Sequence, residues 1–459
     1  MKLAASSADG KQRCAIPRWR MGIFPAVLLL LGLSGIMALS AGPYCQARML
    51  AAYRARHYEA AEQWLERWQS WVRSPEIAYW RARLHRKLFR ADLALEWLNK
   101  AEGQGLDADR LRREYLLLQA EVGRLEGIFS QLQEWLLHPD DDGAELCEAF
   151  ARGLIIREQI SQAEQVIRAW RLEYPRDPQA YLVWGRYLES ERRIQQAERE
   201  YQSALDIDPR YAPAWYARAR VARNRGDYEL AAKHYEQAAA VLQARAAADI
   251  GKAHCLYELG QAEQALHLLR QVIELPADRI ERSFALVQDP DPTLPAQRLL
   301  ARIEVALGYY AEALPWLEQA LAREPRDQSL RYLRVQCWQA LGKNELAQQE
   351  LAELAQGKTA LAEADRLVDE IKQQPHEPQV DKRYRVGEIY WLHDSSRKAE
   401  YWLRSVLAYD PTHRQAHRLL ADYHSLRAQY EPWAADTAAY HRRMAGIDET
   451  AHSPSTTAP

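Results

Sequence analysis

Arg152, Arg186, Arg220 and His254 follow one another at a constant interval, and Arg302 comes after a longer one. A row of guanidinium groups at fixed spacing suits carboxylate binding, because each planar fork donates two parallel hydrogen bonds. Such a row could hold an extended acidic peptide or an anionic glycan. The same arginines could instead pair with acids of the chain itself, Glu189 and Glu258 among them, and the sequence leaves both possibilities open.

Other chemistry-bearing groups point to less. His413 and His417 stand four apart, with Asp422 and His424 nearby. A metal needs at least a third ligand converging in space, so these are read as surface histidines and no metal site is expected. The run His138–Gly143, "HPDDDG", places three acids before a helix, where they would cap it and offset its dipole. It lacks the alternating oxygens of a calcium loop. Cys14, Cys45, Cys147, Cys255 and Cys337 lie far apart with no CxxC pair, which predicts buried free thiols rather than disulfides or zinc. GxSxG, GxxxxGK[ST] and HExxH are all absent, and no glycine-rich loop follows a strand, so no enzyme activity and no cofactor are expected.

The bulk composition agrees with a binding protein rather than one that holds nucleic acid. Among 459 residues, 61 are basic and 63 acidic, for a formal net charge of −2, which supplies no field for a polyanion. Residues 21–41 carry no charged side chain and match the roughly 20-residue length of a bilayer-spanning helix. Lys2, Lys11, Arg13, Arg18 and Arg20 precede it against a single Asp9. This basic 1–20 flank is predicted to stay in the cytoplasm while the remainder is exported, as a single-pass protein with its bulk on the periplasmic side. The alternative is a signal peptide cleaved after the small residues Ala38 and Ser40, giving a secreted protein. Trp64, Trp68 and Trp71 then share one helix face, either as core packing or as a belt at the lipid headgroups.

The elements that must position these groups are read from self-similarity. Ala197, Ala231 and Ala265 share the interval of the basic row, as do Gly226 and Gly260, Gly308 and Gly342, Ala313 and Ala347, and Pro175 and Pro209. In "RVARNRGDYELAAKHYEQA", a helix ends at Gly226, and Tyr228, Ala231, Tyr235 and Ala238 then fall on one face of the next. Small alanines let paired helices approach, aromatics fill the groove between them, and proline stops one unit before the next begins.

This pattern resembles the tetratricopeptide repeat, a helix–turn–helix unit of about 34 residues. The resemblance implies an all-α solenoid, a right-handed superhelix of about ten helix pairs, here following one transmembrane helix. Degenerate pairs are expected over 42–143, and core repeats over 144–355 with an insertion at about 277–293 that reads as a loop with one short helix. An inserted helix and linker are expected over 356–379, terminal repeats over 380–447, and a disordered tail over 448–459. In this family the ninth position of each first helix lines the concave groove. That position is Arg152, Arg186, Arg220, His254 and Arg302, followed by Gln336, with Arg83 near the N-terminus. The carboxylate clamp of chaperone-binding members uses Lys and Asn, which Leu182 and Arg186 do not match. The resemblance implies a membrane-anchored scaffold that binds a protein or peptide partner, acidic by the arginine row, during assembly of a cell-envelope complex. The alternative function is a non-catalytic accessory subunit that binds anionic glycan or regulates a carbohydrate-processing or export enzyme.

Overall fold

The computed structural model describes residues 41–121, 123–137, 142–241, 245–289, 296–374, 377–428 and 434–447. The apolar segment expected to cross a membrane lies almost wholly outside the described residues, as do its basic flank, Cys14, the acids at 140–141 and the tail from 448. Among the described residues no helix is long and apolar enough to span a bilayer.

Every described element is a helix, and the helices come in consecutive pairs. The first are α1 (41–54) with α2 (Tyr58–Trp71), α3 (Pro75–Lys87) with α4 (Ala91–Gly103), and α5 (Ala108–Glu121) with α6 (Phe129–Leu137). The core repeats are α7 (Gly143–Ile156) with α8 (Ile160–Glu173), α9 (Gln179–Ser190) with α10 (Ile194–Ile207), α11 (Ala212–Asn224) with α12 (Tyr228–Ala239), and α13 (Arg245–Glu258) with α14 (Ala262–Ile273). A single helix, α15 (Ala277–Leu286), interrupts the series. It resumes with α16 (Ala296–Ala306) and α17 (Tyr310–Arg323), α18 (Gln328–Ala340) and α19 (Asn344–Gln373), α20 (Val380–His393) and α21 (Ser396–Tyr409), and α22 (Arg414–Arg427) and α23 (Ala434–Ala445).

One turn geometry recurs between paired helices. The second residue after the first helix adopts a left-handed backbone, as Gly226 does at φ 82°, and the next N–H reaches back into the last helical turn. Asp227 N–H donates to Ala222 O at 3.0 Å and Gln261 N–H to Leu256 O at 2.8 Å, the hydrogen bond that closes a Schellman end. Glycine adopts this conformation without a Cβ clash. Arg56, Phe89, Glu158 and Arg192 hold the same turn position at φ between 56° and 59°, so the geometry persists where the glycine signal is missing.

Ala197, Ala204, Ala231, Ala238, Ala265 and Ala313 are fully buried where second helices meet their neighbours. Two mid-helix glycines do different work from the turn glycines. A Cβ on Gly185 would stand 2.6 Å from the Tyr201 ring, and one on Gly251 would stand 2.4 Å from the Tyr235 ring. Both tyrosines are completely buried, so each glycine makes room for an aromatic that fills the helix–helix groove.

Three expectations need correcting. The helix expected as an insertion at 356–379 is not separate, because α19 runs unbroken for 30 residues through that boundary. At 1.5 Å per residue it is about 45 Å long. The residues at 277–289 form more than a loop with a short helix. Gln288 stands at φ 58° two residues beyond α15, and Asp289 N–H donates to Phe284 O at 2.8 Å. That is the turn found after the other first helices, and α16 begins at Ala296, so α15 is a half repeat without a second helix of ordinary length. Finally, His417 and His424 are buried, not surface groups.

The described residues divide into two compact units, those up to 87 with 93–115 and those of 88–92 with 116 onward. In the first, Ala78, Tyr79, Ala82, Leu98, Ala101, Leu106 and Leu111 form the core. Trp68 belongs to the buried set, the guanidinium groups of Arg48 and Arg67 lie 5.3 and 4.6 Å from the Trp64 ring centroid, and Trp71 is exposed. In the second unit the largest core cluster runs from Ala212 to Ile303 and takes in Phe284 and Val287 of the half repeat.

Candidate partner-binding faces

The ninth-position row has two different environments in the second unit. Arg152, Arg186 and Arg220 project from α7, α9 and α11, and all three contact the turn that follows α15. Arg152 Nη2 donates to Gln288 Oε1 at 2.5 Å. Arg186 Nη2 donates to the Val287 carbonyl at 2.8 Å, and Arg220 Nη1 lies 3.5 Å from Asp289 Oδ2.

Acids of the first helices complete this network. Arg152 Nε donates to Glu148 Oε1 at 3.3 Å. Arg220 donates through Nε and Nη2 to the two oxygens of Glu189 at 3.1 and 2.8 Å, and Glu189 also accepts from the Tyr201 hydroxyl at 2.6 Å. Burial opposes the charge on Arg220, yet the Glu189 carboxylate outweighs it and holds the guanidinium above its ordinary pKa. Arg186 differs. Burial lowers its pKa and the neighbouring Arg220 adds to the effect; its Nε is buried without a hydrogen-bond partner.

The rest of the row lies beyond the half repeat. His254 on α13 and Arg302 on α16 share Glu258, each at 3.5 Å. Burial, followed by the charges of Arg223 and Arg302, lowers His254 to about 4, so it is neutral at pH 7 and adds no cation to the row. The Arg302 guanidinium lies 5.4 Å from the Tyr257 ring centroid, and its side chain is 36% exposed.

Arg302 borders a cavity of about 480 Å³ formed by three consecutive repeats. Tyr257 contributes from α13, Val305 and Ala306 from α16, Tyr310 from α17, and Leu333, Gln336, Gln339 and Ala340 from α18. Gln336 and Gln339 are exposed. An apolar wall beside one guanidinium and two side-chain amides suits a polypeptide, because amides both donate to and accept from peptide groups. Arg83 lies in the first unit, where it is buried with its guanidinium over Tyr53, Tyr79 and Trp80 at 5.2, 5.6 and 4.7 Å.

The remaining candidates take structural places. His413 caps α22 by accepting from Ala416 N–H at 3.1 Å. His417 Nδ1 and His441 Nδ1 are 2.8 Å apart, and the His424 and His441 rings stack at 5.6 Å. No group of three or more His, Cys, Asp or Glu side chains among the described residues is arranged to hold a metal. Cys45, Cys147, Cys255 and Cys337 are buried and free. Asp142 stands at the N-cap of α7, where its side chain makes no capping hydrogen bond. The sequence reading missed the part played by residues 287–289. The break in the repeat phase marked the place, but no residue type there announced a contact with repeats far earlier in the chain.

Repeated helix pairs with a polar row on their first helices define a helical-repeat protein. Residues 200–233 match the model of the tetratricopeptide repeat and span the second half of α10, all of α11 and the first half of α12. No curated relative matches the chain. Among solved structures, pilF of Pseudomonas aeruginosa is 13% identical, with 52% of this chain and 94% of that one covered at a TM-score of 0.39. PilW, a type IV pilus biogenesis factor, is 21% identical over 46% of this chain and 91% of its own, at a TM-score of 0.37. YrrB, a repeat protein with a peptide-binding site, is 17% identical over 55% of this chain and 95% of its own, at a TM-score of 0.27.

Proposed function

We propose that this chain is a non-catalytic scaffold that binds a partner polypeptide on the first-helix face of its later repeats. The observation that carries this reading is the open cavity built by α13, α16, α17 and α18 around the half-exposed Arg302. The arginine gives the partner a place for a carboxylate or carbonyl, Gln336 and Gln339 address its peptide groups, and Leu333 with Val305 receives an apolar side chain. The charge-free run at 21–41 supports tethering at a membrane with the repeats outside the cytoplasm, where such a scaffold would serve assembly of an envelope complex.

A photoactivatable amino acid placed at Gln336 in the full chain tests the reading in cells. A discrete adduct at 336 that Arg302→Glu suppresses is the expected result, with an exposed control position, Leu172, giving none. Equal labelling at both positions would remove the proposed face. Protease accessibility in intact and lysed cells tests the topology separately, and digestion of the repeats only after the inner membrane is broken would reverse the proposed orientation.

A further inference from the structure

The turn after α15 does to the arginine row what a bound peptide would do. Three consecutive residues present three different acceptors to three guanidinium groups, each one repeat from the next. The Gln288 amide oxygen faces Arg152, the Val287 carbonyl faces Arg186, and the Asp289 carboxylate faces Arg220. Gln288 is held further by Gln179, whose Nε2 donates to Gln288 Oε1 at 2.9 Å and whose Oε1 accepts from Gln288 Nε2 at 2.6 Å.

The fit is incomplete in one place. Arg186 is half-buried with its Nε fully enclosed, yet its hydrogen bond here is to a neutral carbonyl and that Nε has no hydrogen-bond partner. Asp289 and Glu189 act on it through space, but no carboxylate among the described residues forms an ion pair with it. Arg152 and Arg220 have Glu148 and Glu189. A guanidinium screened from water gains most from a bidentate carboxylate, so the resident segment leaves binding energy unused at the centre of the row. The segment also ends a half repeat: among the described residues no second helix follows it before α16 begins at Ala296. Against release stand Phe284 and Val287, which lie in the core beside α13.

We infer that the face formed by Arg152, Arg186 and Arg220 is a second binding site, distinct from the Arg302 cavity. Its occupant in this structure is the chain's own segment Val287–Asp289, and a partner's extended segment exchanges for it by bringing a carboxylate to Arg186. The site takes an acidic peptide, and the half repeat keeps it closed until such a segment competes. This holds whether or not the Arg302 cavity binds anything.

The test uses the full chain and a labelled synthetic peptide with the sequence of residues 277–287, whose free C-terminal carboxylate stands where the Val287 carbonyl faces Arg186. A chain with Gln288→Ala and Asp289→Ala, which keeps Val287 in the core, should bind this peptide about tenfold or more tighter than the native chain by fluorescence anisotropy. Adding Arg186→Met should abolish the gain. Binding no tighter than native, or unaffected by Arg186→Met, overturns the inference. Should the substituted chains misfold, hydrogen exchange on the native chain decides the matter. The amides of Val287, Gln288 and Asp289 should exchange through local opening, on the order of 100-fold faster than those in the middle of α9 and α11. Exchange of these amides only together with α9 and α11 would make the segment a fixed part of the core and end the proposal.

Discussion

Gln179 and Gln288, separated by 109 positions in sequence, pair through both atoms of their side-chain amides, at 2.9 and 2.6 Å. Gln179 begins α9 and is completely buried. Its Nε2 also donates to Glu148 Oε1 at 2.7 Å, and its Oε1 also accepts from the Tyr211 hydroxyl. One reciprocal amide pair therefore joins three successive repeats to the half repeat.

Breaking that pair removes two side-chain hydrogen bonds at once, although Gln179 keeps Glu148 and Tyr211 and Gln288 keeps Arg152 as partners. Gln179→Ala or Gln288→Ala is expected to destabilise the chain by about 1–3 kcal/mol. The double substitution should cost clearly less than the sum of the singles. Urea unfolding followed by tryptophan fluorescence gives the coupling, and strict additivity would show the two amides to be energetically independent.

The left-handed turn predicts a gain at a position the chain has not optimised. Arg192 is exposed at φ 59°, a conformation that costs a residue with a Cβ about 1–2 kcal/mol. Arg192→Gly should raise stability by up to about 1 kcal/mol once the greater freedom of glycine in the unfolded chain is included. A lowered melting temperature in calorimetry would contradict this.

Inside α13 the opposite change should harm. The Tyr235 ring leaves no space for a Cβ on Gly251, so Gly251→Ala is expected to cost about 1–3 kcal/mol through overpacking. Shrinking the facing side chain with Tyr235→Leu should lessen the penalty of the alanine, which denaturation of the double variant would reveal. Full additivity would place the strain elsewhere.

Stability should fall in mild acid. Burial, the largest cause for both, lowers His424 and His441 to about 4, with His417 adding to the shift on His441; His254 is lowered to the same region. These rings are held neutral when folded and take up protons more readily when unfolded, so their contribution is intact above the ordinary value of 6.5 and is lost as pH drops from there toward 4. Urea midpoints measured between pH 8 and pH 4 should show that decline. His424→Leu with His441→Leu should flatten it, and an unchanged slope would assign the decline to other groups.

The thiols should be silent in the native chain. Burial raises Cys147 and Cys255 to about 12 and Cys337 to about 11, and the thiolate is the reactive form. A disulfide reagent at pH 8 should label none of the three until denaturant is added. Rapid labelling without denaturant would mean that these helices open readily.

Much of the scaffold was legible from local signals. Gly226 and Gly260 marked turns because glycine alone enters the left-handed region freely, and Ala231 with Tyr235 marked a helix seam because their spacing matches the helical period. The units without a turn glycine were harder, since Glu158 and Arg192 adopt the same geometry through the hydrogen bonds of the turn. The pairing of Arg220 with Glu189 was among the open readings, and it is formed at 2.8 Å.

The sequence by itself determined where helices start, stop and touch, because caps, turns and helical periodicity act over fewer than about ten residues. It also placed basic side chains at one repeating position. Tertiary structure alone decided their state. The half repeat brings Gln288 within 2.5 Å of Arg152 across 136 positions and leaves Arg302 beside an open cavity. That division depends on how stacked helices carry distant residues to one place, and no local pattern encodes the result.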